Sequence, residues 1–287
     1  MSRAAADAPL ISIVVPTFRS AAVLEGALSS LATQDWRGFE VIVSDGASDD
    51  GTLAIAERFA GRLPALHIDS RPDGGVYDAI NRGVRRSRGR WFLVLGSDDR
   101  LHATTTLSRV AAELQRDGGA VFVYGDVNML HTDGRVERYA GPLTLKRMFT
   151  LPLCQQSLFY RRDVFDALGG FDLRFRLYAD WDFNLRAAFS GPTRWIDLVV
   201  ADYATTGMSG SASDPVFLEA LPGFIRDRLV ERADDPASWP LQDHLLRCAN
   251  RYRRQRRWAE ARAYVRSYFH LLARRLPVRV GARRRPR

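Results

Sequence analysis

The chain has 287 residues, 46% of them hydrophobic and 26% charged, which suits one large soluble α/β domain with room for an appendage. No apolar run reaches the roughly 18–20 residues that span a bilayer, Asp7 and Pro9 break MSRAAADAPLISIVVP as a signal peptide, and Cys154 and Cys248 give neither a disulfide framework nor a metal-site spacing. The formal net charge of +9 is uneven: residues 241–287 hold 15 Arg against 2 acidic residues, a net of +13 that leaves −4 for the first 240. A cytoplasmic location is expected, and any polyanionic partner belongs to the tail.

Along the chain, strands are predicted at LISIVV (10–15), FEVIV (39–43), LHI (66–68) and RWFLVL (90–95). Helical spacing marks 21–34, 50–60 and 75–87 between them. Connections of this length favour parallel strands with helices on both faces, a Rossmann-like, mostly parallel α/β sheet. A helix near 103–117 and the strand AVFVYGDV (120–127) continue the pattern, and HTDGR (131–135) predicts a hairpin turn. Further on come a strand-like LFY, a turn at Gly169 and Gly170, and the helical DWDFNLRAAF (180–189). After TTGMSGSASDP (205–215) the character becomes helical. The expected division is therefore a disordered 1–9, a catalytic-type domain over 10–215, a helical extension over 216–276 and a basic disordered tail over 277–287.

In parallel sheets ligands bind beyond the carboxyl ends of the strands. Those ends carry Pro16 and Thr17, then Asp45 in SDGASDDGT, then Asp73 in SRPDGGVYDAINRG, then Asp98 and Asp99 in LVLGSDDRL. Each aspartate alone reads equally as a turn or helix-capping residue. Aspartates at three strand ends in succession, with Thr17 at the one before, read better as a site. Adjacent carboxylates are tolerated where a cation neutralises them, and Mg²⁺ or Mn²⁺ needs few carboxylates and leaves room for phosphate oxygens. No GxxxxGK[ST] loop and no GxGxxG follows the first strand, so nucleotide-triphosphate loops and dinucleotide folds lack their parts.

ISIVVPTF, VIVSDGASDDGT, SRPDGGVYDAINRGV, LVLGSDD, LCQQSLFYRRDVFDALGGFD and YADWDFNLR together resemble the inverting family-2 glycosyltransferases of GT-A fold. Their order and spacing are most similar to the bacterial surface-polysaccharide, colanic-acid-type branch, over about residues 10–210. The resemblance implies a nucleotide-diphosphate sugar donor, UDP-linked by first guess, and a glycan or lipid-linked acceptor. It implies that Pro16, Thr17, Asp45, Asp73, Asn81 and Asp98 line the donor. Asp98 and Asp99 would form the metal-binding element, with Asp99 the direct ligand, and Asp180 would be the general base. Asp180 also reads as a helix cap. The sequence departs from the branch at Arg71 and Gln155, which puts the donor and acceptor pockets in question, and at Ala179, which lacks a carboxylate beside the base. TTGMSG is similar to a mobile loop of that branch and also reads as a plain surface loop.

Residues 241–276 place Leu245, Ala249, Tyr252, Ala261, Tyr264, Val265, Tyr268, Leu272 and Leu276 at helical spacing with Arg on the other face. Such a stretch either lies on an anionic membrane or docks on the domain, and nucleic acid ranks behind both. Two rivals to the transferase remain at this level. One is a nucleotidyltransferase of similar fold, which PTFRSAAV does not favour; the other is a non-catalytic scaffold acting through the tail.

Overall fold

The computed structural model describes residues 8–116, 118–139, 141–204, 214–229 and 239–275. The first elements alternate as expected: β1 (Ile11–Thr17), α1 (Leu24–Ala32), β2 (Phe39–Asp45), α2 (Thr52–Glu57), β3 (Leu66–Ser70), α3 (Val76–Arg86) and β4 (Trp91–Val94). β2 and β4 flank β1 in parallel and β3 extends β2 in parallel. β2 is buried along its whole length and β1 nearly so, because helices cover both faces of a parallel sheet and select near-continuous apolar runs.

Then follow β5 (Arg100–Leu101), α4 (Thr106–Gln115), β6 (Phe122–Leu130), β7 (Val136–Tyr139), α5 (Leu145–Thr150) and a single 3-10 turn at Gln155–Ser157. β8 (Leu158–Arg161), α6 (Arg162–Leu168), α7 (Ala179–Ser190) and β9 (Thr193–Ala204) complete the sheet region. Among the described residues nine strands form one sheet in the order β3-β2-β1-β4-β8-β6-β9-β5, with β7 on β6. Only its first half is parallel throughout. β8 enters between β4 and β6 antiparallel to both, β5 and β7 also pair antiparallel, and β6 and β9 run parallel, so antiparallel strands are mixed into the parallel sheet. The Asp-Gly turn sits in the β6–β7 hairpin as expected, with Gly134 at φ 83°.

Two apolar layers hold the sheet. Val15, Val41, Val43, Leu93, Val123 and Phe159 belong to one, together with α1 and α4 residues such as Leu28 and Val110. The other is aromatic: Phe92 stacks on Tyr160 at 5.1 Å, and Phe165, Phe171 and Phe183 close around them at 4.8–5.9 Å. Each such ring contributes on the order of 1.5–3 kcal/mol by leaving water. Phe171 and Phe183 thereby fix α7 under the rim of the sheet.

α5 groups instead with α8 (Pro215–Leu229), α9 (Trp239–Arg254) and α10 (Trp258–Arg275) in a second compact unit. Sequence reading placed α5 in the first domain, since nothing in LKRMFT signals where it packs. α9 and α10 are linked by a short turn and meet through Leu245, Ala249, Tyr252, Ala261, Tyr264 and Leu271, with Tyr252 and Tyr264 stacked at 5.4 Å. The buried stripe of α10 follows residues 261, 264, 267 and 271, so Val265 is exposed rather than inward as expected. Leu276, the TTGMSG loop and the terminal 277–287 lie outside the described residues.

β6 and β9 share the longest ladder, interrupted by a register shift at Tyr124–Asp126. Gly125 sits in that shift, where an added Cβ would meet the Leu198 carbonyl oxygen and, at 2.8 Å, a Val200 methyl. Backbone cannot yield as a side chain does. Gly125→Ala should therefore destabilise the protein by about 1–3 kcal/mol, read as a lower urea midpoint at unchanged slope.

Candidate functional site

The ends of β1, β2 and β3 are tied together by one carboxylate. Asp45 is wholly buried. Its Oδ1 accepts from Thr17 Oγ1 at 2.9 Å and Ser48 Oγ at 2.6 Å, and its Oδ2 from the Ser48 amide at 2.8 Å and Ser70 Oγ at 2.7 Å. Burial alone would raise its pKa, but the bonds from Ser48, Ser70, the Ser48 amide and Thr17 outweigh it and hold it below the ordinary range. All four acceptor positions of the carboxylate are used. Arg82 of α3 donates to the Asp45 carbonyl at 2.7 Å and pairs with Asp69 at 3.0 Å, locking the ends of β2 and β3 to the helix. Sequence reading missed Ser48, Ser70 and Arg82. Ser48 lies inside the quoted DGASDDGT, and Ser70 and Arg82 open and nearly close the quoted SRPDGGVYDAINRG, but their contacts with Asp45 lie 25 and 37 residues away in sequence.

Beyond β4 the chain turns at Gly96, whose missing side chain makes room for the Asp99 and Asp98 carboxylates. Ser97 and Ser20 share a hydrogen bond at 3.0 Å, which joins this turn to the loop after β1. Asp98 is exposed and Asp99 is 1% exposed. Asp99 Oδ2 accepts from Gln156 Nε2 at 2.7 Å and its Oδ1 from the Ala204 amide at 3.3 Å. Burial pushes the Asp99 carboxyl up to about 7, with the Asp98 charge adding to the rise and the Gln156 bond opposing it. None of the groups that set this balance is a cation. Two adjacent carboxylates with uncompensated negative charge fit a divalent ion that takes its remaining ligands from phosphate oxygens and water. Among the described residues no group of three or more His, Cys, Asp or Glu side chains that could hold a metal ion is present, here or elsewhere.

Asp180 lies in the first turn of α7, one residue past its start at Ala179, so it is not the helix cap; Tyr178 holds that position. It is half-buried, and its Oδ1 accepts from Tyr77 Oη at 2.8 Å and from the Trp181 amide at 2.9 Å. Burial pushes its carboxyl up to about 6 against the pull of those bonds. Asp182 is a different case. It pairs with Arg186 at 2.8 Å, and Arg186 also donates to the Leu168 and Gly170 carbonyls, so this pair clamps the Gly169–Gly170 turn.

The other expected residues divide. Thr17 is buried on Asp45, Pro16 beside it is half-buried, and Asp73 is half-buried with Oδ1 on the Gly75 amide at 2.9 Å. Asn81 is 2% exposed, and both ends of its amide bond the Phe171 backbone, at 2.8 and 2.9 Å, which fastens α3 to the aromatic layer. Tyr77 and Gln156, the direct partners of Asp180 and Asp99, were quoted within motifs but not singled out, because the contacts are 103 and 57 residues apart in sequence.

Asp45→Asn should leave at least one of the four donors facing an amide hydrogen and cost about 1–3 kcal/mol. The wild-type contribution has a pH signature. With a folded pKa below the ordinary 3.8, it is fully present above that value and is lost as pH falls through the lower folded pKa. The difference in melting temperature between wild type and mutant should therefore be constant above about pH 5 and shrink below pH 4.

Residues 12–168 match the profile of Glycosyl transferase family 2. A PGL/p-HBAD biosynthesis glycosyltransferase of Mycobacterium bovis is 45% identical over 221 residues, 75% of this chain and 85% of the relative. A glycosyltransferase of Mycobacterium tuberculosis is 31% identical over 215 residues, 73% and 80% of the two chains. Among solved structures, S. aureus TarS 1–349 in complex with UDP-GlcNAc aligns with a TM-score of 0.68 at 19% identity, covering 92% of this chain and 88% of TarS. The mannosyltransferase PcManGT from Pyrobaculum calidifontis, in complex with GDP-Man and Mn²⁺, aligns with a TM-score of 0.57 at 19% identity, covering 93% and 74%. At that identity the structural likeness speaks for a shared GT-A fold. The profile match over more than half of the chain and the 45% identity establish that the protein belongs to glycosyltransferase family 2.

Proposed function

We propose that the protein is an inverting, metal-dependent transferase that moves a sugar from a nucleotide-diphosphate donor to a glycan or lipid-linked acceptor. The observation that carries this reading is Asp180, a half-buried carboxylate poised near 6 with one oxygen held and the other accepting no bond from the described residues. In the proposed step Asp180 removes the acceptor hydroxyl proton as that oxygen attacks the anomeric carbon. The bond to the diphosphate breaks on the opposite face, its electron pair leaves with the diphosphate, and the configuration inverts. Asp98 and Asp99 would hold Mg²⁺ or Mn²⁺, which when bound supplies charge to the leaving diphosphate. Thr17, Pro16 and Asp73 would border the nucleotide, with Asp45 setting their positions. Neighbours of the same fold hold UDP-GlcNAc and GDP-Man, so UDP-sugars are the first donors to test. The M. bovis relative is named for PGL/p-HBAD biosynthesis, which supports a role in glycan biosynthesis.

Asp180→Asn should lower transfer by about 10²-fold or more while donor affinity by calorimetry barely changes, since the base acts on the acceptor. Asp182→Asn should keep most of the rate and lose stability instead. In the wild type, kcat/KM should fall tenfold per pH unit below about 6, where Asp180 is protonated. An Asp180→Asn enzyme at wild-type rate would remove the assignment.

A finer part of the reading concerns the helical unit. No described helix is long and apolar enough to cross a membrane. Trp258, Val265 and Phe269 are nevertheless exposed on α10, with the exposed Arg262 and Arg266 among them, and α9 presents Arg247, Arg251 and Arg254 around a shallow concavity. Apolar anchors beside arginines suit peripheral attachment to an anionic membrane on the cytoplasmic side. Full-length protein should cosediment with phosphatidylglycerol vesicles at physiological salt. Trp258→Ser with Phe269→Ser should weaken this several-fold, and equal binding to neutral vesicles would count against it.

A further inference from the structure

Tyr77 stands in the first turn of α3, within SRPDGGVYDAINRG, and is 8% exposed. Its hydroxyl lies 2.8 Å from Asp180 Oδ1 and 2.7 Å from the Leu177 carbonyl oxygen. A phenol has one proton and here has two acceptors. The ring is held in place: it packs on Phe171 at 5.8 Å, and Phe171 is tied back to α3 through Asn81. Packing alone would be served equally by phenylalanine. The hydroxyl is what distinguishes this residue.

We propose that Tyr77 is the positioning residue of the Asp180 base, fixing Oδ1 and leaving Oδ2 to take the acceptor proton. The inference rests on Asp180 being the base. While Asp180 is ionised, the hydroxyl proton stays on Oδ1, because a bond to a charged oxygen is roughly twice as strong as one to a neutral oxygen. When the acceptor's proton arrives on Oδ2 the carboxyl becomes neutral, and the Leu177 carbonyl then competes on even terms. The hydroxyl turns between the two acceptors without moving the ring, so neither protonation state leaves it unbonded in a buried place. Tyr77 itself gives up no proton in the cycle. Burial first and the Asp180 charge second push its own ionisation well above the ordinary value.

The neighbouring tyrosines are pushed out of the acid range, whereas Asp182 on the same helix is also raised by burial and is told apart from Asp180 by its own signal. Tyr160 on β8, bonded to Asn184 Oδ1 at 2.6 Å, and Tyr178 at the start of α7 are both pushed upward by burial. On α7 itself Asp182 is engaged with Arg186, and Asp214 accepts the Leu177 amide at 3.0 Å, holding in place the segment whose carbonyl Tyr77 shares.

The test reads the carboxyl directly. Full-length protein labelled with ¹³C-aspartate is titrated by NMR, the Asp180 signal being assigned by its loss in Asp180→Asn. Tyr77→Phe removes a donor to the ionised form and should move the Asp180 midpoint upward by about one pH unit, a tenfold gain in proton affinity. The acidic limb of UDP-glucose hydrolysis in Mn²⁺ should move with it. Incorporation of 3-fluorotyrosine at position 77, a stronger donor of nearly the same shape, should move both the other way and guards against a folding defect in the phenylalanine variant. An unmoved midpoint in both variants overturns the proposal while leaving Asp180 free to be the base. A midpoint that moves without the kinetic limb, or an Asp180→Asn enzyme that hydrolyses UDP-glucose at the wild-type rate, overturns the base assignment and the proposal with it.

Discussion

Everything at the rim depends on how Asp45 is satisfied. A carboxylate removed from water is costly unless hydrogen bonds replace its hydration. Asp45 recovers it from Thr17, Ser48 and Ser70, and those donors come from β1, from the loop after β2 and from β3. The three strands are thus obliged to end at one level. Arg82 repeats the constraint from α3 by binding the Asp45 carbonyl. The glycine-rich segment after β3 is then delivered to a fixed place, and with it Tyr77.

The same chemistry, weighed differently, separates structural carboxylates from the candidate reactive ones. Glu40 on β2 is as buried as Asp45, yet Ser12 and Arg88 outweigh burial and hold it below the ordinary range. At Asp99 and Asp180 burial wins, and the carboxyls rise to about 7 and about 6. Groups so displaced are uncomfortable in the protein alone and gain from a charge or a proton arriving from outside. Both sit on the carboxyl side of the sheet, whereas Glu40 lies in the strand body beside Ser12. Asp182 is raised by burial as well, but its ion pair with Arg186 occupies it, so a raised carboxyl without a cationic partner is what marks the site.

The helical unit follows a separate electrostatic logic. Residues 241–287 hold 15 Arg against two acidic residues, and among the described ones Arg247, Arg251, Arg254, Arg262 and Arg266 stay at the surface while Tyr252, Tyr264 and Leu271 close the helix pair. An arginine-rich surface of this kind repels its own copies and attracts anionic surfaces, with a range set by salt. Trp258 and Phe269 add exposed apolar area on the same helix as Arg262 and Arg266.

The sequence by itself determined the local matters. Apolar runs with interposed helical spacing gave β1 to β4 and α1 to α3, the Asp-Gly pair gave the β6–β7 turn, and the order of the motifs gave the family. These are properties of neighbouring residues, where period and turn chemistry act directly. Tertiary structure alone decided the rest. The insertion of β8 between β4 and β6, the grouping of α5 with α8 to α10, the use of Asn81 as a backbone clamp and the outward face of Val265 all depend on which distant surface a segment meets. So do the pairs Asp180–Tyr77 and Asp99–Gln156. A carboxylate's titration is set by donors and burial contributed from other elements, and no spacing along the chain encodes how far those will offset each other.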